Sequence, residues 1–287
     1  MARTRVEEPR LLKSKDLFPA VFGRHAVAYQ QRIEQVMGRG EARGRLRVLE
    51  LVDAKPGMRA LDLACGPGTL SRRLAQQVSP GGEVVGVDLA PGMIEVARAA
   101  QIPNARFEVM DIERLTFADA SFDAAVCGHG LQFAPELAVA LSEARRVLRP
   151  GARFAASVPV DGNNESVWAL LETVIDRWLP PAAQAVDQGS TRTAVADRQR
   201  FRQAALDAGF ASAEVEVIEE HVRWESAQQL VSMFMSWWSC ASRLDGISAD
   251  RREKFAEEAI ETIRRAHPGA IDTTGRNHVL FAVRAGA

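Results

Sequence analysis

Asp62, Gly66, Gly68, Asp88 and Asp111 are the residues of this chain whose types and spacing carry chemistry. The run Leu61-Asp-Leu-Ala-Cys-Gly-Pro-Gly-Thr69 joins a short apolar strand to a helix through a glycine turn. Glycine reaches backbone angles closed to other residues and has no Cβ, so a ligand can lie against the main chain at the mouth of the next helix. After a helix over 69–78 and the turn Ser79-Pro-Gly-Gly82, the strand Glu83-Val-Val-Gly-Val-Asp88 ends in a carboxylate. Asp88 stands 20 residues beyond Gly68, about the separation at which an acid reaches ribose hydroxyls in doubly wound folds. The chemistry implied is nucleotide binding.

The elements that must position these residues can be read from periodicity. Residues 1–15 read as a mobile tail and 24–52 as two helices, the second turning Leu46, Leu49 and Val52 toward a core. Five alternations follow, with strands expected over 59–64, 83–88, 105–110, 122–128 and 152–158, and helices over 91–100 and 136–147. Such a β-α-β series predicts an α/β, doubly wound, Rossmann-like sheet that is mostly parallel and collects ligands at the carboxyl ends of its strands. Beyond Val158 the pattern predicts a helix over 167–178, an irregular mobile connector over 180–192, a helix over 197–208 closed by Gly209, and strands over 213–218 and 278–284. Between the last two strands lies an insertion over 223–275 with helices over 227–242 and 249–266. The expected division is 1–52 as tail and N-terminal helices, 53–160 as the binding core, 161–205 as a cap segment, and 206–287 as the last strands with their helical insertion. No internal repeat or low-complexity tract is present.

Four further motifs occur in one order: Asp88-Leu-Ala-Pro-Gly-Met-Ile-Glu-Val-Ala97, Phe107-Glu-Val-Met-Asp-Ile-Glu113, Asp119-Ala-Ser-Phe-Asp-Ala-Ala-Val126 and Ala144-Arg-Arg-Val-Leu-Arg-Pro-Gly151. With the glycine turn they make residues 46–158 resemble the class I S-adenosylmethionine-dependent methyltransferases, in the branch of the ubiquinone and menaquinone biosynthesis enzymes. The resemblance implies a seven-stranded sheet with an antiparallel last strand, helical cap insertions, and S-adenosylmethionine as cofactor. It also implies roles. The amides of the Cys65–Gly68 turn, with Ala64, Gly66 and Gly68, and of the following helix start face the methionyl carboxylate, as helix starts bind anions. Asp62 accepts from the methionyl ammonium and Asp88 from the ribose diol. Asp111 and the Ile112 amide read the adenine edge, while Leu89, Met93 and Leu131 face its ring. Asp62 and Asp111 have a structural alternative, as caps of a helix or turn.

Methyl transfer from a sulfonium needs the nucleophile held in line in a site that excludes water, and a general base only where the acceptor is a poor acid. His129, in Cys127-Gly-His-Gly-Leu-Gln-Phe133, follows the strand that borders the methyl group in the resembling family, and is the candidate base. The alternative is a residue that shapes the pocket without moving protons. His25 and the sole tyrosine, Tyr29, lie four apart on a helix and are candidates to close over the donor. Trp168, Phe234, Trp237 and Trp238 point to an apolar acceptor cavity under a lid, against the alternative that such a stripe is only core. His221, His267 and His278 are expected to be solvated.

Composition narrows the class. The chain has 287 residues, 47% hydrophobic and 25% charged, enough for a full core. A net charge of −1 gives no footprint for nucleic acid. No apolar run approaches a membrane span, and Cys65, Cys127 and Cys240 have neither disulfide-framework nor metal-site spacing, so reduced thiols in a cytoplasmic protein are expected. A macromolecular acceptor is disfavoured because Val126-Cys-Gly-His129 lacks the Asn-Pro-Pro-aromatic signature, and an NAD dehydrogenase because the turn lacks a third glycine. The sequence therefore predicts O-, C- or N-methylation of a small apolar or aromatic metabolite, in quinone-type or specialised metabolism. A same-fold enzyme that uses the cofactor without methylating, and a non-catalytic cofactor-binding protein, stay open, as does assembly into a homo-oligomer.

Overall fold

A computed structural model describes residues 11–160, 165–187 and 189–286 of the chain. Runs such as Ala60-Leu-Asp-Leu63 and Val84-Val-Gly-Val87 are buried along their whole length, as suits strands covered on both faces of a parallel sheet. Seven strands form that sheet: β1 (Arg59–Leu63), β2 (Glu83–Asp88), β3 (Ala105–Val109), β4 (Phe122–Gly128), β5 (Leu148–Val160), β6 (Ser212–Trp224) and β7 (Ile271–Val283). Their spatial order is β3-β2-β1-β4-β5-β7-β6. All pairs are parallel except those of β7, which runs antiparallel to both β5 and β6. The order reverses between β1 and β4, and the carboxyl ends on either side of that switch point are where a ligand crevice forms.

Alternate residues of each strand face opposite layers. Ala60, Val84, Ala124 and Ala155 join one core with helices α3 (Arg43–Val52) and α4 (Thr69–Val78), whereas Leu61, Val85, Ala125 and Ala156 join the other with α6 (Leu137–Val147). Helices α2 (Ala26–Gly38) and α5 (Pro91–Ala99) complete the layer beside the crevice. The segment expected to be a cap divides between the layers. Helix α7 (Glu165–Trp178) joins the first core and packs on the insertion, where Trp178 Nε1 donates to Glu258 Oε2 at 2.8 Å. Helices α8 (Gly189–Ala196) and α9 (Arg198–Asp207) cover the second face, with Phe201 and Ala205 fully buried.

Five local expectations are corrected. The tail ends earlier than residue 15: Leu11–Leu12 pair in parallel with Gln184–Ala185, and helix α1 (Ser14–Arg24) follows. The connector 180–192 is accordingly tied down, since Ser14 donates from both its amide and its hydroxyl to Asp187 Oδ1, at 2.8 and 2.5 Å. The helix expected over 227–242 is two, α10 (Ala227–Phe234) and α11 (Trp238–Leu244), because the backbone is extended at Trp237. Helix α12 (Ala249–Ala266) matches its expected bounds. The insertion starts later than expected, since β6 and β7 pair out to Trp224 and Ile271. His278 is buried on β7, its Nδ1 2.9 Å from the Val195 carbonyl, because α8 covers that face. Among the described residues no helix is long and apolar enough to cross a membrane, and all three cysteines are buried free thiols.

Candidate active site

The crevice begins where β1 ends. Between Leu63 and α4 the chain takes left-handed angles at Ala64 (φ 52°), Gly66 (φ 54°) and Gly68 (φ 80°). A Cβ on Gly68 would also stand 3.1 Å from Phe107 Cζ, so the position is closed to side chains twice over. Asp88, at the end of β2, fixes this turn: its carboxylate accepts from the Gly66 amide and the Ala90 amide, each at 2.9 Å. The Cys65 amide bonds the Val87 carbonyl at 2.9 Å and the Gly68 amide the Cys65 carbonyl at 3.1 Å. The turn amides are thus engaged inside the protein. At the start of α4, the helix terminus expected to face an anion together with these amides, the buried Thr69 hydroxyl has no partner among the described residues.

Asp62 is buried in β1, with Oδ2 accepting the Ser71 hydroxyl at 2.5 Å and Oδ1 without a partner among the described residues. Burial pushes its pKa up to about 7, opposed by the Ser71 hydrogen bond and reinforced by the Asp88 charge. Burial likewise raises Asp88, against its two amide bonds. Two buried acids whose charged forms are both disfavoured by burial form a site that gains by receiving a cation.

A cavity of about 1030 Å³, counting its open mouth, runs from these residues toward α1 and α2. Asp62, Ala64, Gly66, Asp88, Leu89, Met93, Asp111, Ile112, Tyr29 and His129 all line it. Gly68 and Leu131 do not: Gly68 packs under Phe107, and Leu131 is fully buried in the second core. His25 faces outward, its Nε2 3.3 Å from Asp245 Oδ1. Trp168, Phe234 and Trp237 pack with tilted rings at centroid distances of 4.9 to 5.9 Å and do not line the cavity. The side chain of Trp238 lies outside what is described. Of the aromatics expected to form a lid, Trp168 on α7 and Phe234 and Trp237 of the insertion thus form a cluster of their own where the two segments meet. Trp237→Ala should lower thermal stability by about 1–2 kcal/mol through lost ring contacts, and calorimetry should find S-adenosylhomocysteine affinity unchanged.

The aromatic wall of the cavity comes from elsewhere. Phe18 and Phe22 of α1 pack on Phe133 at centroid distances of 4.7 and 5.3 Å, and Phe22 meets Tyr29 at 6.0 Å. Lys15, one turn earlier, reaches Asp111 and Glu113 at 2.6 Å each. At its other end α1 lies backbone to backbone on α5, for a Cβ on Gly92 would stand 2.5 Å from the Gly23 carbonyl oxygen. The spacing of Phe18 and Phe22, one helical turn apart, was the available signal for this face.

His129 follows β4 in a left-handed conformation (φ 64°), its amide donating to the Ser157 carbonyl at 2.9 Å. Burial and then the nearby Arg45 charge hold its pKa well below the usual histidine value, against a hydrogen bond with Asn277. Its ring is neutral at neutral pH, and its buried Nε2 has no partner among the described residues.

Comparison with known proteins agrees with this geometry. A family model described as a methyltransferase domain matches residues 60–151. The nocamycin O-methyltransferase of Saccharothrix syringae is 30% identical over 228 residues, 76% of this chain and 81% of that protein. The chain belongs to the S-adenosylmethionine-dependent methyltransferases. Within the family, the 2-phytyl-1,4-naphtoquinone methyltransferase of Trichormus variabilis is 34% identical over 57% of this chain and 74% of its own length. Its counterpart in Synechococcus elongatus is 40% identical over 46% of this chain and 59% of its own length. A protein from transposon TN4556 of Streptomyces fradiae is 41% identical, and the chain spans 46% of it. Among solved structures, the phosphoethanolamine N-methyltransferase 2 of Haemonchus contortus superposes with a TM-score of 0.57 at 18% identity, covering 96% of this chain and 60% of that one. The [4+2]-cyclase SpnF gives 0.54 at 16%, covering 98% and 100%. Such identities show a shared fold, and a cyclase among them means that the fold alone does not choose the reaction.

The residues present suit the family's cofactor. Asp62 Oδ1 is a buried acceptor without a partner among the described residues, suited to an ammonium, and Asp88 lines the cavity at the end of β2, suited to a diol. A Cβ on Gly66 would meet nothing closer than Met93 Sδ at 4.0 Å, which leaves room for a ligand against the main chain.

Proposed function

We propose that this chain transfers the methyl group of S-adenosylmethionine to a small, largely apolar ring-bearing metabolite. One observation carries the reading: the buried Asp62 oxygen, without a partner among the described residues, lies in the same cavity as Asp88 and the Phe18–Phe22–Phe133 wall. Asp62 would hold the methionyl ammonium, Asp88 the ribose hydroxyls, and Asp111 the adenine edge, in exchange with Lys15. When bound, the cofactor supplies a methyl carbon that accepts the acceptor's lone pair while the carbon–sulfur pair leaves on sulfur, giving S-adenosylhomocysteine. The protein's work is then to align the acceptor and exclude water. Helix α1 supplies the exclusion, since it roofs the cavity with Phe18 and Phe22. Relatives named for naphthoquinone methylation and for nocamycin O-methylation support an acceptor with a fused-ring or polyketide-like body.

Calorimetric titration with S-adenosylhomocysteine should give one saturable site per chain. A screen of quinols and phenolic metabolites with S-adenosylmethionine should then find a product one methyl heavier by mass. Tight cofactor binding with a product of unchanged methyl count would replace methyl transfer by a non-methylating reaction.

A further inference from the structure

We infer that the acceptor is bound as an oxyanion, the phenolate or enolate of an acidic hydroxyl on an apolar ring, held by the Arg45 guanidinium and the Tyr29 hydroxyl. The inference rests on the methyl-transfer reading and names the chemistry of its acceptor.

Arg45 starts on α3 and reaches the cavity across the end of β4. Gly128 makes the passage: a Cβ there would stand 3.6 Å from Arg45 Cγ and 3.1 Å from Leu70 Cδ2. At the cavity the guanidinium donates to the Tyr29 hydroxyl at 3.1 Å, and among the described residues no carboxylate pairs with it. Arg47, two residues on, shows what a structural arginine does in this chain: it grips Glu216 through two bonds of 2.9 Å and also bonds Glu50.

The charges that line the cavity are segregated. Asp88, Asp111 and Glu113 stand at the nucleotide end, with Lys15 bridging the last two, and Asp62 lies in β1 beside the turn. Arg45 lines the cavity beside Leu70, the Tyr29 hydroxyl and His129, and no carboxylate among the described residues pairs with it. A guanidinium does not lose its proton in proteins, so a cation in apolar surroundings without a counter-ion favours an anionic guest. Tyr29 accepts from Arg45 and keeps its own O–H, so two donors converge on one oxygen.

His129 bears on the same conclusion. Held neutral beside Arg45, it adds no competing charge, and it is a weak base for a hydroxyl that arrives protonated. An acceptor that leaves its proton in solvent on entry needs no base, because its oxygen lone pair is already free when the new bond to carbon forms.

The test uses the full chain loaded with S-adenosylhomocysteine and titrated with 4-nitrophenol, its methyl ether 4-nitroanisole, and 4-nitrobenzoate. Bound 4-nitrophenol should keep its phenolate absorption at a pH about one unit or more below that of the free compound. Arg45→Met, which keeps the stem, should weaken nitrophenolate binding by about tenfold or more and leave 4-nitroanisole and S-adenosylhomocysteine affinities within about twofold. Arg45→Lys should restore part of the loss. Binding as the neutral phenol, an equal effect of Arg45→Met on phenol and ether, or markedly tighter binding of 4-nitrobenzoate would each overturn the proposal while the cofactor reading stands. Failure of S-adenosylhomocysteine to bind the wild-type chain would overturn both.

Discussion

Asp62→Asn should stabilise the ligand-free protein at pH 8 and at the same time remove most of its affinity for the cofactor. The sign follows from the pKa of about 7 that burial imposes on Asp62 in the folded chain. An unfolded Asp ionises near pH 4, so between about pH 4 and 7 the folded state holds a proton that the unfolded state has lost. Stability contributed by the neutral carboxyl is full below that window and gone above it. An asparagine is neutral throughout, and its oxygen still accepts the Ser71 hydroxyl. Its gain at pH 8 should be on the order of 2–4 kcal/mol, vanishing by pH 4. Cofactor binding should respond in the opposite sense, because an ammonium pairs with the ionised form. Wild-type affinity for S-adenosylhomocysteine should weaken about tenfold per pH unit as pH falls below 7 and level off above it, whereas Asp62→Asn should bind weakly with a flat profile. Thermal unfolding and calorimetry across that range measure both. A wild-type profile as flat as the mutant's would show that Asp62 does not meet the ammonium.

This residue was readable in the sequence because its setting is local. A strand, a tight turn and a helix within ten residues fix each other's geometry, and α4 begins and ends at the expected residues. The glycine turn could be read for the same reason, although the Gly66–Asp88 bond that anchors it could not. Whether the Gly66 amide faces a ligand or Asp88 depends on a contact between residues 22 apart. The parallel strands were equally plain, since continuous apolar runs of five to seven residues have few other uses.

Helix α1 was missed for a different reason. Pro19 interrupts its pattern and its apolar face is weak in isolation. What makes it an element is tertiary: the two-residue ladder with Gln184–Ala185, the Ser14–Asp187 bonds, and the close contact of Gly23 with Gly92. The aromatic stripe over 230–238 failed in the opposite direction. Its periodicity was real, but the chain breaks at Met235–Trp237 and turns Trp237 onto Trp168. Arg45 could not be picked out at all, since what sets it apart is that no carboxylate among the described residues pairs with it, and a sequence does not display its pairings.

The last expectation concerns Asp88, where one side chain serves both the turn and the ligand. Its two oxygens hold the Gly66 and Ala90 amides while facing the cavity. Asp88→Ala removes the diol's acceptor and strips both amides of theirs, so S-adenosylhomocysteine affinity should fall by on the order of 1–3 kcal/mol for the lost charged hydrogen bonds. The freed turn should add to that loss, because Gly66 keeps its left-handed angle only while its amide is anchored. Asp88→Asn separates the two contributions. Its oxygen can keep one amide but carries no charge, so its affinity should lie between those of wild type and Asp88→Ala, and its ligand-free stability nearer to wild type. Calorimetric titration and thermal unfolding of the three proteins give the comparison. An Asp88→Ala protein that is folded and binds S-adenosylhomocysteine as tightly as wild type would remove Asp88 from the ribose site and, with it, the main support for the cofactor's orientation in the cavity.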